Sequence, residues 1–113
     1  MEKINNLLEK YEYFRDAQIR SIQKPTDASA IVTIVVQDDE GEDINSVTLE
    51  FNDIKESRIL VNHVLPFLDM MSGITLIKEN DLYGFAVGSG SAMLNIHNAP
   101  MYIIASDLTI EEN

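Results

Sequence analysis

A β-branched run, an acidic loop and an alternating run follow one another near the middle of the chain, and together they constrain the fold most strongly. Residues 30–37 are mostly β-branched and place apolar side chains on both faces, which favours a strand in a central position of a sheet. The polar segment 38–43 contains a glycine, and residues 46–52 then alternate apolar with polar side chains. This order predicts an antiparallel hairpin whose second strand has one wet face.

The flanking sequence predicts further elements of both types. Apolar residues recur at helical spacing over residues 2–14, and a dense apolar stretch over 62–71 predicts a second, short helix. Residues 16–24 are predicted to form a strand, in which the broken alternation indicates a bulge. We therefore expect one α+β domain over residues 1–113, with a bent, mainly antiparallel sheet of about seven strands and two helices. Four of the expected strands lie in the C-terminal part, at 74–78, 83–87, 93–97 and 101–105.

The charge balance limits the partners that this chain can bind. The chain has 113 residues, with 8 Lys and Arg against 19 Asp and Glu, which gives a net charge of −11. A nucleic-acid backbone needs a basic surface, and an anionic membrane repels an acidic protein, so we expect neither as a partner. The same charge permits fast, salt-sensitive association with a basic protein, although solubility alone would also explain it.

The cysteine count and the first residues favour a cytoplasmic location. The chain contains no cysteine, so neither a disulfide nor a thiolate metal site is expected. The N-terminal sequence shows no basic region followed by an apolar stretch, the pattern of a secretory signal. Residues 82–106 lack Asp, Glu, Lys and Arg over a length that could span a membrane. Gly and Pro residues interrupt this stretch, which favours a soluble sheet over a membrane span.

The sequence carries no pattern of a catalytic or metal-binding site. His63 and His97 lack the spacing of a zinc motif, and no serine lies in the Gly-x-Ser-x-Gly turn of a hydrolase. The acidic loop fails the calcium-loop pattern, since Val47 occupies the position of its final Glu. Segment 88–90 lacks the third glycine of a dinucleotide-binding loop and predicts a tight hairpin turn. We therefore expect no enzymatic activity, no cofactor and no metal.

The acidic loop at 38–43 is the candidate binding site. Five of its six residues are carboxylates, and we expect them to form a docking patch for Lys or Arg side chains of a basic protein. A solvated hairpin tip without a partner is the alternative, because charge runs are commonly wet surface. The candidate residues are Asp38, Asp39, Glu40, Glu42 and Asp43.

The uncharged stretch 82–106 supports two further hypotheses. A sheet with a wet face usually carries charges there, so this stretch predicts an interface between copies of the chain, a ligand wall, or a face covered by the chain itself. Self-association through 82–106 is the second functional hypothesis, after binding of a basic partner. The third is a small-molecule binder or an enzyme with a pocket near four residues. These are Tyr83, Phe85, His97 and Tyr102.

One resemblance covers about residues 11–53. Residues 14–22 follow the pattern Phe-x-Asp-Ala-x-Ile-x-Ser-Ile, and an apolar strand and the run Val-Thr-Leu-Glu-Phe at 47–51 come after it. This part of the chain resembles the opening half of small bacterial domains of unknown function, some of which are similar to immunity proteins of polymorphic-toxin loci. The resemblance implies a small α+β protein without catalytic residues, in which Asp16 caps or bonds backbone where the strand begins. Occlusion of a basic toxin domain is then the specific form of the binding hypothesis.

Overall fold

The computed structural model describes residues 2–88 and 92–112, in which six strands form one antiparallel sheet. The strands are β1 (Gln18–Thr26), β2 (Ser29–Gln37), β3 (Asp43–Arg58), β4 (Ile74–Glu79), β5 (Leu82–Val87) and β6 (Tyr102–Glu112). Their order across the sheet is β1-β2-β3-β6-β5-β4, so two three-stranded meanders meet where β3 pairs with β6. The α+β class and the antiparallel sheet are confirmed, with six strands in place of the expected seven.

The predicted hairpin in the first meander is confirmed. β2 pairs with β3 from Ala30 opposite Phe51 to Gln37 opposite Asp43, and the acidic loop connects them. β2 is an interior strand, although the two middle strands of the sheet are β3 and β6. The bulge expected in the first strand is also present, because the pairing of β1 with β2 shifts register between Ile19 and Ser21.

Helical segments are short, and most are 3-10 helices. In the described part of the chain the one α-helix is α1 (Glu2–Lys10), and the 3-10 segments are η1 (Glu12–Phe14), η2 (Asn62–Phe67) and η3 (Met93–Asn98). The α-helix places its apolar stripe, which includes Ile4 and Leu7, in the core. Both helices that the sequence predicts therefore exist as helical segments, but each is shorter than expected.

The helix predicted over 2–14 ends at Lys10 because the chain then changes handedness. The three residues of η1 have φ values of 52°, 59° and 59°, which are left-handed and cannot continue a right-handed helix. This turn still buries Phe14 completely, and its ring stacks on Tyr11 with centroids 5.1 Å apart. Left-handed backbone costs about 1–2 kcal/mol per residue, so core burial of the aromatic ring must offset that cost.

The second predicted helix, at 62–71, is η2 and ends earlier than expected. Pro66 lies inside η2 and contributes no backbone N–H, and Leu68 has extended backbone with ψ of 139°. Past this point Gly73 adopts a φ of 74°, and a side chain there would collide with the carbonyl oxygen of Tyr13. The chain from η2 to β4 thus packs tightly on the left-handed turn η1.

The main core lies on one face of the sheet. α1, η1 and η2 cover this face, and the core extends continuously from the N-terminal helix to β4 and β5. Phe51 and Phe85 pack against each other across the β3–β6 junction, with ring centroids 5.7 Å apart. The largest completely buried side chains from the two meanders include Ile34, Leu49, Leu76 and Ile103. One continuous core therefore joins both halves of the sheet.

The strand predicted at 93–97 is wrong, since these residues form η3. This segment lies on the face of β5 and β6 opposite to the main core, where Ile96 packs with Ala86 and Tyr102. β5 carries a glycine at the contact, and a Cβ on Gly84 would lie 2.8 Å from the Ile96 Cδ1 atom. The missing side chain gives η3 room to approach the sheet, which a pattern within 93–97 alone does not reveal. Apart from Gly88, the tight turn expected at 88–90 lies outside the described residues.

Candidate functional site

The β2–β3 loop presents its acidic residues on a short, hydrogen-bonded turn. The Asp38 N–H donates to the Glu42 carbonyl oxygen at 2.9 Å, and the Gly41 N–H donates to the Asp38 carbonyl oxygen at 3.0 Å. Gly41 has a φ of 83°, which favours glycine at this position. No atom lies within 4 Å of the place where a Gly41 side chain would stand, so the tip of the loop extends away from the rest of the protein.

Asp38 builds this loop. Its Oδ1 atom accepts two backbone hydrogen bonds, from the N–H groups of Glu40 and Glu42, both at 2.9 Å. A short carboxylate that binds backbone two residues ahead is the usual way in which Asp stabilises a turn. Asp38 therefore serves the conformation of the loop, and its charge is partly satisfied by the backbone.

Asp43, the first residue of β3, closes the loop through an ion pair with Arg20 on β1. The Arg20 guanidinium binds Asp43 with two nitrogens, at 3.1 Å and 3.3 Å, and the Gln37 side-chain amide donates to the same carboxylate at 2.9 Å. The hydrogen bond from Arg20, followed by that from Gln37, lowers the pKa of Asp43 below its ordinary value of 3.8. Both partners of the ion pair are about half exposed, so water screens their attraction.

The other three carboxylates of the loop point outward without internal partners. Asp39, Glu40 and Glu42 are exposed, and their side chains make no hydrogen bond or ion pair within residues 2–88 and 92–112. The five predicted residues thus lie together on one loop, but they fall into two groups with different roles. Two carboxylates hold the loop in shape, and three remain available to a cation from outside. The framing role of Arg20 was not foreseen, because nothing local in the sequence links it to the loop.

A cleft adjoins the loop at its first strand. Gln37, the last residue of β2, lines a cavity of about 350 Å³ that also contains Asp16 and Asp69. The Asp16 N–H donates to the Met70 carbonyl oxygen at 2.9 Å, so the backbone hydrogen bond just before β1 comes from the Asp16 main chain and not from its carboxylate. Asp69 accepts the Met71 N–H at 3.0 Å. Two more carboxylates therefore lie beside the loop.

The four residues expected around a small-molecule pocket lie on both faces of the sheet. Phe85 and Tyr83 lie on the main-core face of β5, whereas Tyr102 lies on the opposite face and packs with η3. His97 is exposed on η3, and its carbonyl oxygen and that of Ala99 accept hydrogen bonds from Arg58, at 3.4 Å and 3.0 Å. The sheet itself separates the members of this group.

The lack of charge on β5 and on the first half of β6 has an internal explanation. These strands have the main core on one face and η3 on the other, so few of their positions meet water. Polar and charged side chains are disfavoured at positions buried on both faces. A face covered by the chain itself therefore accounts for the composition of these two strands. It does not account for residues 92–98, which are also uncharged but mostly exposed.

Among the described residues there is neither a group of metal ligands nor a helix that could cross a membrane. Across residues 2–88 and 92–112, no group of three or more His, Asp or Glu side chains is arranged to hold a metal ion. In the same ranges no helix has the length and apolar character needed to cross a membrane. His63 is exposed at η2, well separated in the chain from His97.

The comparisons with known proteins found no similar protein. No family model, no curated protein and no solved structure matches this chain. Function must therefore be inferred from the site itself.

Proposed function

We propose that this protein is a non-catalytic binding protein for a basic protein partner, and that the β2–β3 loop makes the first contact. The observation that carries the proposal is that two of the loop carboxylates stabilise the loop, while the other three have no partner among the described residues. Asp38 and Asp43 fix the loop, so that Asp39, Glu40 and Glu42 are presented together without internal counter-charges. A rigid acidic tip loses little conformational entropy when a cationic surface docks on it.

The mechanism that we propose is electrostatic steering followed by steric occlusion. The net charge of −11 gives the whole molecule a negative field, and the loop tip concentrates it at one end of the first meander. Such fields raise association rates by roughly 10- to 1,000-fold at low ionic strength. The resemblance over residues 11–53 to domains similar to immunity proteins suggests the specific form, in which the bound partner is a basic toxin domain whose surface is covered.

The test compares proteins captured by matched variants. Immobilised wild type is exposed to a lysate of the native organism, beside the loop variant Asp39→Asn/Glu40→Gln/Glu42→Gln. The control, Asp27→Asn/Glu56→Gln/Glu79→Gln, removes three charges from exposed carboxylates that make no described hydrogen bond. Each column is eluted with increasing salt, and the retained proteins are identified by mass spectrometry.

We expect the wild type and the control to retain the same protein, with an isoelectric point above about 9. The loop variant should release this protein at lower salt than the wild type does. It lacks three of the charges that attract the partner, and salt screens the attraction of its remaining charges beyond about 10 Å at 0.1 M ionic strength. Equal retention of the same proteins by the loop variant and the control would contradict the proposal, since any acidic surface would then serve equally well.

A further inference from the structure

The cleft beside the acidic loop combines an apolar floor with charges of one sign. Its lining includes Leu65, Leu68 and Met70, while its charged members among the described residues are Asp16 and Asp69. Within residues 2–88 and 92–112, no basic side chain lines it. A cavity of about 350 Å³ lies at the small end of the range for small-molecule pockets and opens widely to solvent, so it would enclose one long side chain more fully than a drug-sized ligand. The cleft therefore fits part of a larger partner better than a free small molecule.

Two large apolar side chains in this part of the chain are exposed. Met71 lines the cleft and is 74% exposed, and Phe67, which follows and precedes lining residues in sequence, is 85% exposed. Single exposed apolar residues are common on proteins, but Phe and Met are enriched at the centres of protein interfaces. An exposed thioether in the cleft and an exposed aromatic ring within the same short segment therefore favour contact with another macromolecule.

The two arginines closest in sequence to Asp16 each have a partner other than the cleft carboxylates. Arg20 is bound to Asp43, and Arg15 lies over the Tyr13 ring with its guanidinium carbon 5.9 Å from the centroid. Gln37 lines the cleft and is followed directly by the acidic loop, so the two acidic surfaces are continuous. The charge of the cleft is therefore complementary to a basic group supplied from outside.

We propose that this cleft docks a segment of the basic partner in which a Lys or Arg side chain stands next to an apolar one. The cationic group lies between the Asp16 and Asp69 carboxylates, and the apolar neighbour covers Phe67 and Met71. This inference rests on the proposed function and adds to it the kind of partner segment that is recognised. The loop attracts the partner, and the cleft supplies the contact that gives it a specific orientation.

The cleft is held in shape before any partner arrives. The Asp16 N–H and the Gly73 N–H both donate to the Met70 carbonyl oxygen, at 2.9 Å and 3.0 Å. The Asn62 side chain accepts the Ile22 N–H at 2.8 Å and ties η2 to the free edge of β1. Because both walls are fixed by these bonds, binding loses little conformational entropy in the protein.

The test uses three short peptides and an NMR spectrum of the labelled full chain. The probes are acetyl-Phe-Arg-Leu-amide, acetyl-Gly-Arg-Gly-amide and acetyl-Phe-Gln-Leu-amide, each titrated to millimolar concentration. We expect amide shifts around Asp16 and 65–71 with the first probe. The purely basic and the neutral apolar probes should each bind at least about fivefold more weakly, since each makes only one of the two contacts.

Two substitutions separate the parts of the site. Asp16→Asn removes the charge, and Asn tolerates the φ of 62° at this position, so the backbone should keep its shape. Phe67→Ser removes the apolar contact and is matched by Leu94→Ser on η3, where the side chain is 89% exposed. The first two should weaken the Phe-Arg-Leu probe about tenfold, as loss of a central contact does, and the Leu94 variant should not.

Some outcomes would refute docking in the cleft and leave the proposed function standing, and one outcome would do the opposite. Shifts confined to 38–43, equal binding of the neutral probe, or no shift with any probe would refute docking in the cleft. The salt-dependent capture by the loop would still stand in each case. Conversely, Phe-Arg-Leu binding in the cleft together with capture that ignores the loop variant would support the cleft and refute the loop.

Discussion

The outer face of β5 and β6 is buried by the chain itself, whereas the outer face of β2 and β3 stays open. In the second meander η3 brings Ile96 onto Ala86 and Tyr102, and all three are nearly inaccessible to water. In the first meander most side chains on the corresponding face, such as Ile31 and Thr48, are only half-buried, although Val35 is buried. The same antiparallel geometry thus has two covered faces in one half and a single covered face in the other.

This difference explains where the charges lie. β5 and the start of β6 carry no charged residue because both of their faces are internal. The first meander has a wet face and a loop that projects beyond it, and there the carboxylates accumulate. The uncharged strand segments 82–87 and 102–105 and the acidic loop, which look like two binding signals in the sequence, therefore differ in kind. One reflects burial, and the other offers unpaired charge.

The largest expected effect comes from removing the cover on the second meander. Ile96→Ala shortens the completely buried side chain through which η3 packs on the sheet, and it should lower the free energy of unfolding by about 3 kcal/mol. Ile31→Ala, on the half-buried outer face of β2, should cost no more than about 1 kcal/mol. Urea unfolding followed by circular dichroism measures both. Equal losses for the two variants would mean that the halves do not differ as described.

A smaller effect should follow from filling the contact between β5 and η3. Gly84→Ala would place a Cβ 2.8 Å from Ile96 Cδ1 and 3.0 Å from Met93 Sδ, and we expect a loss of about 1–2 kcal/mol. Ile96→Val removes the Cδ1 atom itself. The double variant should therefore be more stable than the sum of the single losses predicts, by at least about 0.5 kcal/mol. Additive losses would show that η3 does not lie on Gly84.

The smallest effect concerns the ion pair that frames the acidic loop. Arg20 lowers the pKa of Asp43, so its stabilising contribution is complete above the ordinary value of 3.8 and disappears as pH falls through the lowered folded value. Asp43→Asn should therefore destabilise the protein slightly near about pH 7 and not at all in acid below both pKa values. Asp39→Asn removes an equal charge without a described partner and serves as the control. A loss for Asp43→Asn that persists in acid would exclude the ion pair as its cause.

Local chemistry made the hairpins predictable from the sequence. The β2–β3 hairpin follows from β-branched residues, a glycine-containing loop and alternation, and the structure has it in the expected place. Asn80 and Asp81 separate the strands predicted at 74–78 and 83–87, and they form a two-residue turn with φ values of 52° and 64°. Asn and Asp are the residues other than Gly that adopt this backbone most readily.

Elements decided by distant contacts were not predictable in this way. Whether 93–97 forms a strand or a 3-10 helix depends on the space that Gly84 leaves on β5, and a local pattern contains no such information. The end of α1 depends on a left-handed turn that buries Phe14 in the core. In both places tertiary packing overrides the local preference of the chain.

The sequence predicted where the candidate site lies, but it did not predict which of the site's residues stabilise the loop and which are free to bind a partner. The run of carboxylates identified the loop, yet its division into framing and free residues depends on Arg20, which lies 23 residues before Asp43. Asp16 precedes the β2–β3 hairpin in the sequence and Asp69 follows it, so the two residues meet in the cleft only because of the fold.

Hydrogen exchange of the complex tests the central claim most directly, because it compares the two meanders in one experiment. The basic protein captured at low salt would be added to the full chain, and deuterium uptake measured by mass spectrometry. We predict slower exchange at 16–18, 37–43 and 65–71, with no change over 93–112. Protection centred on η3 and β6, with none at the acidic loop, would contradict the account.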